Sequence, residues 1–282
     1  RVYIISEVKD LNPLSEITLV HEYVHALQQQ HFDLSAITNK TELGADSALG
    51  LTSLVEGDAV ATELEYIRKY FNQMEREFLL EKSADNPTTF RASPLALQKR
   101  LLFPYTYGEL LVNDLINIDG WHSVNAAYED PPLSTEQVIH TNKYLQMEMP
   151  EKIVLPELEN LPEQGFVALH EDILGEFMLK TYLETITDDK SASKAAEGWN
   201  GDLFNLIETP NGNHIFISLS SWDSKSEAIE FYSILQKHQE SHSNYANIFL
   251  ETKDNKVLWA ITSDSATEKT LIPYFVNFTF QN

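Results

Sequence analysis

One segment, His21-Glu22-Tyr23-Val24-His25, constrains this chain more than any other, because it lies within a helical pattern of apolar residues. Asn12 is predicted to cap the start of that helix, and Pro13 fits its first turn. The pattern predicts a helix from about residue 13 to about residue 31. The apolar positions that carry it are Leu14, Ile17, Val20, Val24 and Leu27.

The spacing of the two histidines has a chemical consequence. Residues four apart on a helix lie about 40° apart around its axis, so the imidazoles of His21 and His25 face one side and can bind one metal ion. Glu22 lies about 100° from His21, where it can take a proton from a water on that ion. The alternative interpretation is a helix with two ordinary histidines.

A tetrahedral catalytic zinc site needs a third protein ligand and one open position. The chain has no cysteine, so the third ligand must be His, Asp or Glu. We predict Glu56, on a second helix, where the small residues Gly57 and Ala59 suit a close approach of two helices. The alternative is an exposed glutamate beside a tolerated glycine.

Five other residues near this candidate site are interpreted from their helical angles. Glu63 and Asp58 are alternative ligands. Glu63 lies two turns from Glu56 on the same face of the helix. Asp58 points elsewhere, which suits a residue that contacts a ligand from behind better than one that contacts the metal. His31 lies about 240° from His25 and is expected to face away. Gln28 and its neighbour Gln29 lie on or near the histidine face. Either one can orient a ligand or water, or contact a neighbouring helix.

A transition state with a developing oxyanion needs a hydrogen-bond donor opposite the metal. Tyr105, Tyr107 and His140 are the candidates, with a surface or packing role as the alternative for each. His140 ends a predicted helix capped by Ser134, and the C-terminus of a helix favours a protonated imidazole. No chemistry is assigned to Trp121 or Tyr128, which fit a core stripe.

The motifs across residues 13–145 resemble those of the gluzincins, the thermolysin-like zinc peptidases, and more narrowly a group of bacterial proteins. They are His21-Glu22-Tyr-Val-His25-Ala-Leu-Gln28-Gln-Gln-His31-Phe-Asp33-Leu, Val55-Glu56-Gly57-Asp58-Ala59, Phe103-Pro104-Tyr105-Thr-Tyr107-Gly108 and Ser134-Thr135-Glu136-Gln137-Val-Ile-His140. The resemblance implies Zn²⁺ held by His21, His25 and Glu56, with Glu22 as general base. It also implies a peptide or protein substrate. Such folds place strands before the HExxH helix, so we expect these strands in a missing N-terminal region, or a cleft that is built differently.

The predicted fold class is α+β, with a mainly helical zincin-like domain over residues 1–160 and a smaller α+β domain with an antiparallel sheet over residues 161–282. A proline-rich acidic segment, 150–165, is the linker candidate. In the first domain we predict a strand at 2–5, a loop at 38–44, and helices at 46–82, at 94–118 with a kink or break at Pro104, and at 120–128. In the second domain we predict helices near 170–186, 224–239 and 266–276, and strands near 202–209, 213–220, 246–252 and 256–263.

The net charge of −23 opposes binding to nucleic acid or anionic lipid, and no apolar run approaches the ~20 residues of a membrane span. Since the chain begins at Arg1 in a strand-like run, we interpret it as a fragment whose leader is absent. Together with the acidic composition, this favours an extracellular or cell-surface protein. Zinc-dependent peptide hydrolysis is the predicted function. One alternative is a non-catalytic zinc protein that binds through the second domain and its tryptophans, Trp199, Trp222 and Trp259; another is an interaction module without metal.

Overall fold

The computed structural model describes residues 11–40, 44–82, 88–155, 165–241 and 247–262. The chain has an α+β fold that divides into two compact units. The helical unit comprises the described residues up to 40 and Ser47–Glu148, and the sheet unit comprises Gly44–Asp46 with the described residues from Met149 onward. The strand predicted at 2–5, the helix predicted at 266–276 and the domain boundary predicted at residue 160 lie outside the described residues.

Among the described residues, the helical unit contains three long helices of 20, 26 and 25 residues and several shorter ones. None of the helices in the described ranges is both long enough and apolar enough to cross a membrane. In chain order the helices are α1 (Pro13–Phe32), α2 (Leu34–Lys40), α3 (Ala45–Tyr70), α4 (Gln73–Lys82), α5 (Thr88–Arg91), α6 (Leu95–Asp119), α7 (Trp121–Ala127), α8 (Thr135–Ile139) and α9 (Thr141–Leu145).

Helix α1 begins and ends at residues whose chemistry explains the boundary. The Asn12 side chain accepts a hydrogen bond from the Ser15 amide at 2.9 Å, which confirms the predicted cap. Asp33 ends the helix in the left-handed region, at φ 46°. Its carboxylate then accepts from the Ala36 amide at 3.2 Å. A new helix, α2, therefore occupies part of the segment that was predicted to be a loop from Thr38 to Gly44.

The second predicted helix, 46–82, is two helices, because the chain is recapped at Asn72. The Asn72 side chain accepts from the Glu75 amide at 3.1 Å, and the Glu75 carboxylate accepts from the Asn72 amide at 2.8 Å. This reciprocal capping box starts α4 and ends the continuity of α3. Helix α6, by contrast, runs without a break through the buried Pro104, where a kink or break was predicted. Ser134 caps α8 as predicted, accepting from the Gln137 amide at 3.1 Å.

The sheet unit contains one five-stranded antiparallel sheet with the strand order β1-β2-β3-β5-β4. The antiparallel sheet and its last four strands were predicted correctly. The prediction of a helix at 170–186 was wrong for its first residues, which belong to a strand. The short helix Asp189–Ala196 was not predicted. The elements are β1 (Val167–Asp172), α10 (Gly175–Leu183), α11 (Asp189–Ala196), β2 (Trp199–Glu208), β3 (His214–Trp222), α12 (Lys225–Ser241), β4 (Asn247–Lys253) and β5 (Lys256–Thr262).

The central strands β3 and β5 are mostly buried and contribute side chains to two cores, whereas β1 at the edge is mostly exposed. Ile215, Ile217 and Leu219 of β3 pack in one core with Ile153 and Leu155. The other core lies under the helices of the unit and contains all three tryptophans of the predicted second domain, each at most 2% exposed. Its largest members are Trp199, Trp222, Trp259, Phe231, Leu179, Leu183 and Leu235.

Candidate metal centre

Helices α1 and α3 pack antiparallel, and their pairing sets which side chains meet. Near the start of α1, Glu16 accepts a hydrogen bond from the Tyr66 hydroxyl at 2.7 Å. Near its end, Gln28 donates to the Val55 carbonyl at 2.9 Å. Rising residue number along α1 therefore corresponds to falling residue number along α3. The two predicted histidine ligands lie between these two contacts.

Three ligand atoms converge at the middle of this helix pair. The Nε2 atoms of His21 and His25 lie 3.1 Å apart, and the Oε2 atom of Glu56 lies 3.1 Å from the first and 3.4 Å from the second. Two ligands at about 2.05 Å from a tetrahedral zinc ion are about 3.3 Å apart. The triangle of atoms therefore already has the edge lengths of three corners of a tetrahedral site.

The outer nitrogen of each imidazole faces an oxygen, and this determines the state of the inner nitrogen. His21 Nδ1 lies 3.3 Å from a Glu63 carboxylate oxygen, and His25 Nδ1 lies 2.8 Å from the amide oxygen of Gln28. Each Nδ1 therefore donates its hydrogen outward, and each Nε2 of a neutral ring turns a lone pair inward. Two lone pairs and a carboxylate facing one another repel unless a cation lies between them, so the residues fit a metal ion.

The electrostatics of the cluster agree with a site made for positive charge. The hydrogen bond to Glu56, together with Glu63, raises the pKa of His21 to about 9, and Glu56 also raises the pKa of His25. Burial pushes the pKa of Glu56 upward, but the hydrogen bonds from both imidazoles outweigh it and lower that pKa to about 2. In the metal-free protein, protons therefore take the place of the cation.

The cluster is partly open to solvent. The side chains of His21, Glu56 and His25 are 13%, 17% and 26% exposed. Glu22 is exposed on α1, one residue from His21. Three protein ligand atoms converge here, which is one fewer than a closed tetrahedral site uses.

Tyr105 of helix α6 reaches the same cluster. Its ring stacks on the His21 ring with the centroids 6.1 Å apart and 28° between the planes. Burial raises the pKa of Tyr105, and so do the charge of Glu56, a hydrogen bond to Glu56 and the charge of Glu22. The phenol therefore keeps its proton beside a predicted ligand.

Helix α6 can approach this closely because two glycines meet where it packs on α3. A Cβ atom built on Gly57 would overlap the backbone carbonyl of Gly108, and one built on Gly108 would overlap the carbonyl of Ser53. The sequence analysis related Gly57 to a close approach around the ion. The structure shows the close approach, but its partner is α6 rather than α1, so the glycine positions the helix that carries Tyr105.

A buried polar chain lies behind His25. The Gln28 amide nitrogen donates to Val55 and also to a carboxylate oxygen of Asp58 at 2.8 Å. The Tyr128 hydroxyl donates to the same Asp58 oxygen at 2.8 Å. The sequence analysis missed Tyr128, since nothing in the sequence relates the tyrosine that ends α7 to an aspartate 70 positions earlier. Asp58, two residues after Glu56, was the residue in the sequence that could have indicated this polar chain.

The remaining predicted site residues lie elsewhere in the helical unit. Tyr107 stacks on Phe103, with the ring centroids 4.8 Å apart, two residues further around α6 than Tyr105. His140 lies at the junction of α8 and α9 and is not one of the three residues whose ligand atoms converge. His31 is exposed in the last turn of α1, as expected. Oxyanion stabilisation by Tyr107 or His140 therefore stays a prediction.

Comparison with known proteins gives one similarity, and it concerns the sheet unit. A family model described as "Domain of unknown function (DUF8575)" matches residues 164–272. Searches among curated proteins and among solved structures find no match to the chain. The matched segment contains none of the residues of the metal cluster, so the interpretation of that cluster rests on its geometry and on its sequence motifs.

Proposed function

We propose that the helical unit is a zinc-dependent hydrolase that cleaves peptide bonds, with a zincin-like site on helices α1 and α3. One observation carries the proposal. Three inward-facing ligand atoms of His21, His25 and Glu56 form a triangle with edges of 3.1, 3.1 and 3.4 Å. An HExxH helix supplies two of these atoms, and a glutamate on the next long helix supplies the third, which is the gluzincin arrangement that the motifs resemble.

The donor set favours zinc among the metals available to a protein. Two imidazoles and one carboxylate, with a fourth position open, make up the ligand set of catalytic zinc sites such as those of thermolysin-type enzymes. Magnesium and calcium prefer oxygen ligands in six or more positions, and copper(I) prefers sulfur. When bound, zinc acts as a Lewis acid that polarises a carbonyl group and lowers the pKa of a coordinated water toward neutrality.

The side chains around the triangle have separate tasks in this proposal. His21, His25 and Glu56 hold the metal. The Glu22 carboxylate accepts the proton of the attacking water and passes it to the leaving amine. Tyr105, which keeps its proton, donates a hydrogen bond to the developing oxyanion. The stacking of its ring on the His21 ring supports this role.

The decisive experiment separates metal binding from turnover. Glu22→Gln keeps the shape of the side chain and touches no ligand atom, so we expect the variant to bind one zinc per chain and to cleave a peptide library at least 1,000-fold more slowly, since it lacks the general base. Glu81→Gln on α4, an exposed glutamate of the same unit, is the matched control and should cleave as wild type does. A chelator should stop cleavage by wild type and by Glu81→Gln. Unchanged cleavage by Glu22→Gln would contradict the mechanism.

A non-catalytic zinc protein is the second candidate. It would bind the same metal through the same residues and leave the peptide library uncut with or without chelator. The form of this alternative in which the tryptophans of the sheet unit contact a partner is not supported, because Trp199, Trp222 and Trp259 are core side chains. Binding by the sheet unit would have to use other residues.

A further inference from the structure

Behind the ligand His25 lies a buried chain of polar side chains that metal binding and proton transfer, as described above, do not require. We propose that Gln28 is a positioning residue that holds His25 with Nδ1 protonated and Nε2 directed at the metal, and that Asp58 and Tyr128 lock the Gln28 amide in the necessary orientation. This inference rests on the metal site of the proposed function, but not on hydrolysis.

The orientation of the Gln28 amide follows from its partners. Its nitrogen lies 2.9 Å from the Val55 carbonyl and 2.8 Å from the Asp58 carboxylate, and both of these groups can only accept. The nitrogen must therefore face them, and the amide oxygen faces His25 Nδ1 at 2.8 Å. A flipped amide would place an oxygen against two acceptors and two donors against the imidazole nitrogen.

The tautomer of His25 follows from the amide. Because Gln28 presents an acceptor, His25 Nδ1 must carry the hydrogen, and the lone pair of the neutral ring is on Nε2. That atom is the one that lies 3.1 Å from His21 Nε2 and 3.4 Å from Glu56 Oε2. The partner set of one buried amide therefore decides which nitrogen of His25 is free to bind a metal.

Tyr128 and Asp58 make this orientation hard to reverse. The Tyr128 hydroxyl donates to the same Asp58 oxygen that accepts from Gln28, at 2.8 Å. Gln28, Asp58 and Tyr128 are 2%, 8% and 3% exposed, so water cannot easily replace a lost bond. The Tyr128 ring lies flat on Phe32, with the centroids 4.0 Å apart and 2° between the planes. This stacking holds the phenol in place.

The two ligand histidines are therefore supported in different ways. His21 is backed by Glu63, a charged side chain that is 23% exposed. His25 is backed by a neutral amide within a buried chain. Outer partners of metal-bound histidines typically contribute about 10- to 100-fold to metal affinity. We expect Gln28 to contribute within that range, although it neither touches the metal nor carries charge.

The test compares zinc affinity with stability, since a glutamine that only joins two helices would affect stability alone. Gln28→Met keeps the length of the side chain and removes its polar groups. We expect the folded variant to bind zinc about 10- to 100-fold more weakly than wild type in competition with a chelator dye. We also expect the His25 Nδ1–H resonance of the zinc-loaded protein to lose its hydrogen-bonded shift. Gln30→Met, exposed two positions further along α1, is the matched control and should leave both readouts unchanged.

Tyr128→Phe tests the far end of the chain and protects against a Gln28 variant that does not fold. It removes one hydroxyl and keeps the stacking on Phe32, and we expect about 3- to 10-fold weaker zinc binding by folded protein. Zinc affinity within twofold of wild type in folded Gln28→Met, or in Tyr128→Phe if the former does not fold, would overturn the inference and leave the proposed function intact. A wild-type protein that binds no zinc would overturn both.

Discussion

The glycine contact between α3 and α6 allows a quantitative prediction, because the backbone itself leaves no space. In Gly57→Ala the new methyl group would overlap the Gly108 carbonyl, which cannot rotate away as a flexible side chain could. The two helices must separate by on the order of 1 Å, and overpacking of this kind costs about 1–3 kcal/mol. Close to the two glycines along the chain, Leu54 of α3 and Leu111 and Val112 of α6 are all 0% exposed.

The helix propensity of alanine offsets part of this cost. Alanine is favoured over glycine by about 1 kcal/mol within a helix, so the steric and cavity terms must exceed that gain for a net loss. They do so here because separation of α3 and α6 opens space around fully buried side chains, which adds a cavity term to the clash. We expect a net loss of about 2 kcal/mol in the free energy of unfolding, or about 7 °C in Tm for a unit of this size.

Urea and thermal unfolding followed by circular dichroism measure this loss, and two further variants show its origin. Gly120→Ala adds a methyl group where no atom lies within 4 Å, but at φ 60° and ψ −150°, which almost only glycine adopts, so it should cost a conformational ~1–3 kcal/mol with no steric or cavity term. Combining Gly57→Ala with Gly108→Ala should cost less than the sum of the single losses, because the first substitution already separates the helices. A Gly57→Ala protein as stable as wild type would refute the reasoning.

Two predictions concern pH. The first concerns His21, whose pKa is raised to about 9 in the folded protein. When a chelator removes the metal, the stability that this histidine contributes is fully present below pH 6.5 and is lost as the pH rises through 9. Thermal melts should therefore show Tm falling between pH 6.5 and 9.5 without metal and much less with saturating zinc; a fall that is the same with and without zinc would contradict this. The second prediction concerns Asp202 in the sheet unit, whose pKa is raised to about 6 by burial. Hydrogen bonds from the Leu174 and Gly175 amides and from the Trp199 indole lower this pKa, but burial outweighs them. The ionised carboxylate thus costs stability above pH 6, and protonation relieves that cost as the pH falls toward 4. Urea unfolding should show wild type gaining about 2 kcal/mol over Asp202→Asn between pH 7 and pH 4, and no gain would contradict the burial argument.

The part of the site that was predictable from sequence depends on local geometry. The position of His25 relative to His21 follows from four residues of one helix, so the structure places their Nε2 atoms 3.1 Å apart. Glu63 was placed correctly on the Glu56 face for the same reason, and it lies against His21. The contact of Tyr128 with Asp58 joins residues 70 positions apart and depends on how α7 packs. The periodicity of apolar residues carries no information about that packing.

The errors in the fold have similarly specific causes. The break between α3 and α4 was missed although the Asn72 and Glu75 capping box is visible in the sequence, because apolar residues continue in helical spacing across it. Strand β1 was taken for part of a helix because it is short and precedes a true helix directly. Its turn into α10 is held by Asp202, which follows 30 residues after the strand ends and belongs to another strand. Local pattern carries no information about such a partner.

The order of strands in the sheet unit has a consequence for how a growing chain acquires this structure. Strand β5 lies between β3 and β4, although it follows both of them along the chain. During synthesis, β4 therefore has no sheet neighbour to pair with until Lys256–Thr262 has left the ribosome. The β1-β2-β3 portion can form early, but its β3 edge stays uncovered until then. We expect nascent chains stalled before residue 256 to be open to proteolysis and to capture by chaperones at that edge.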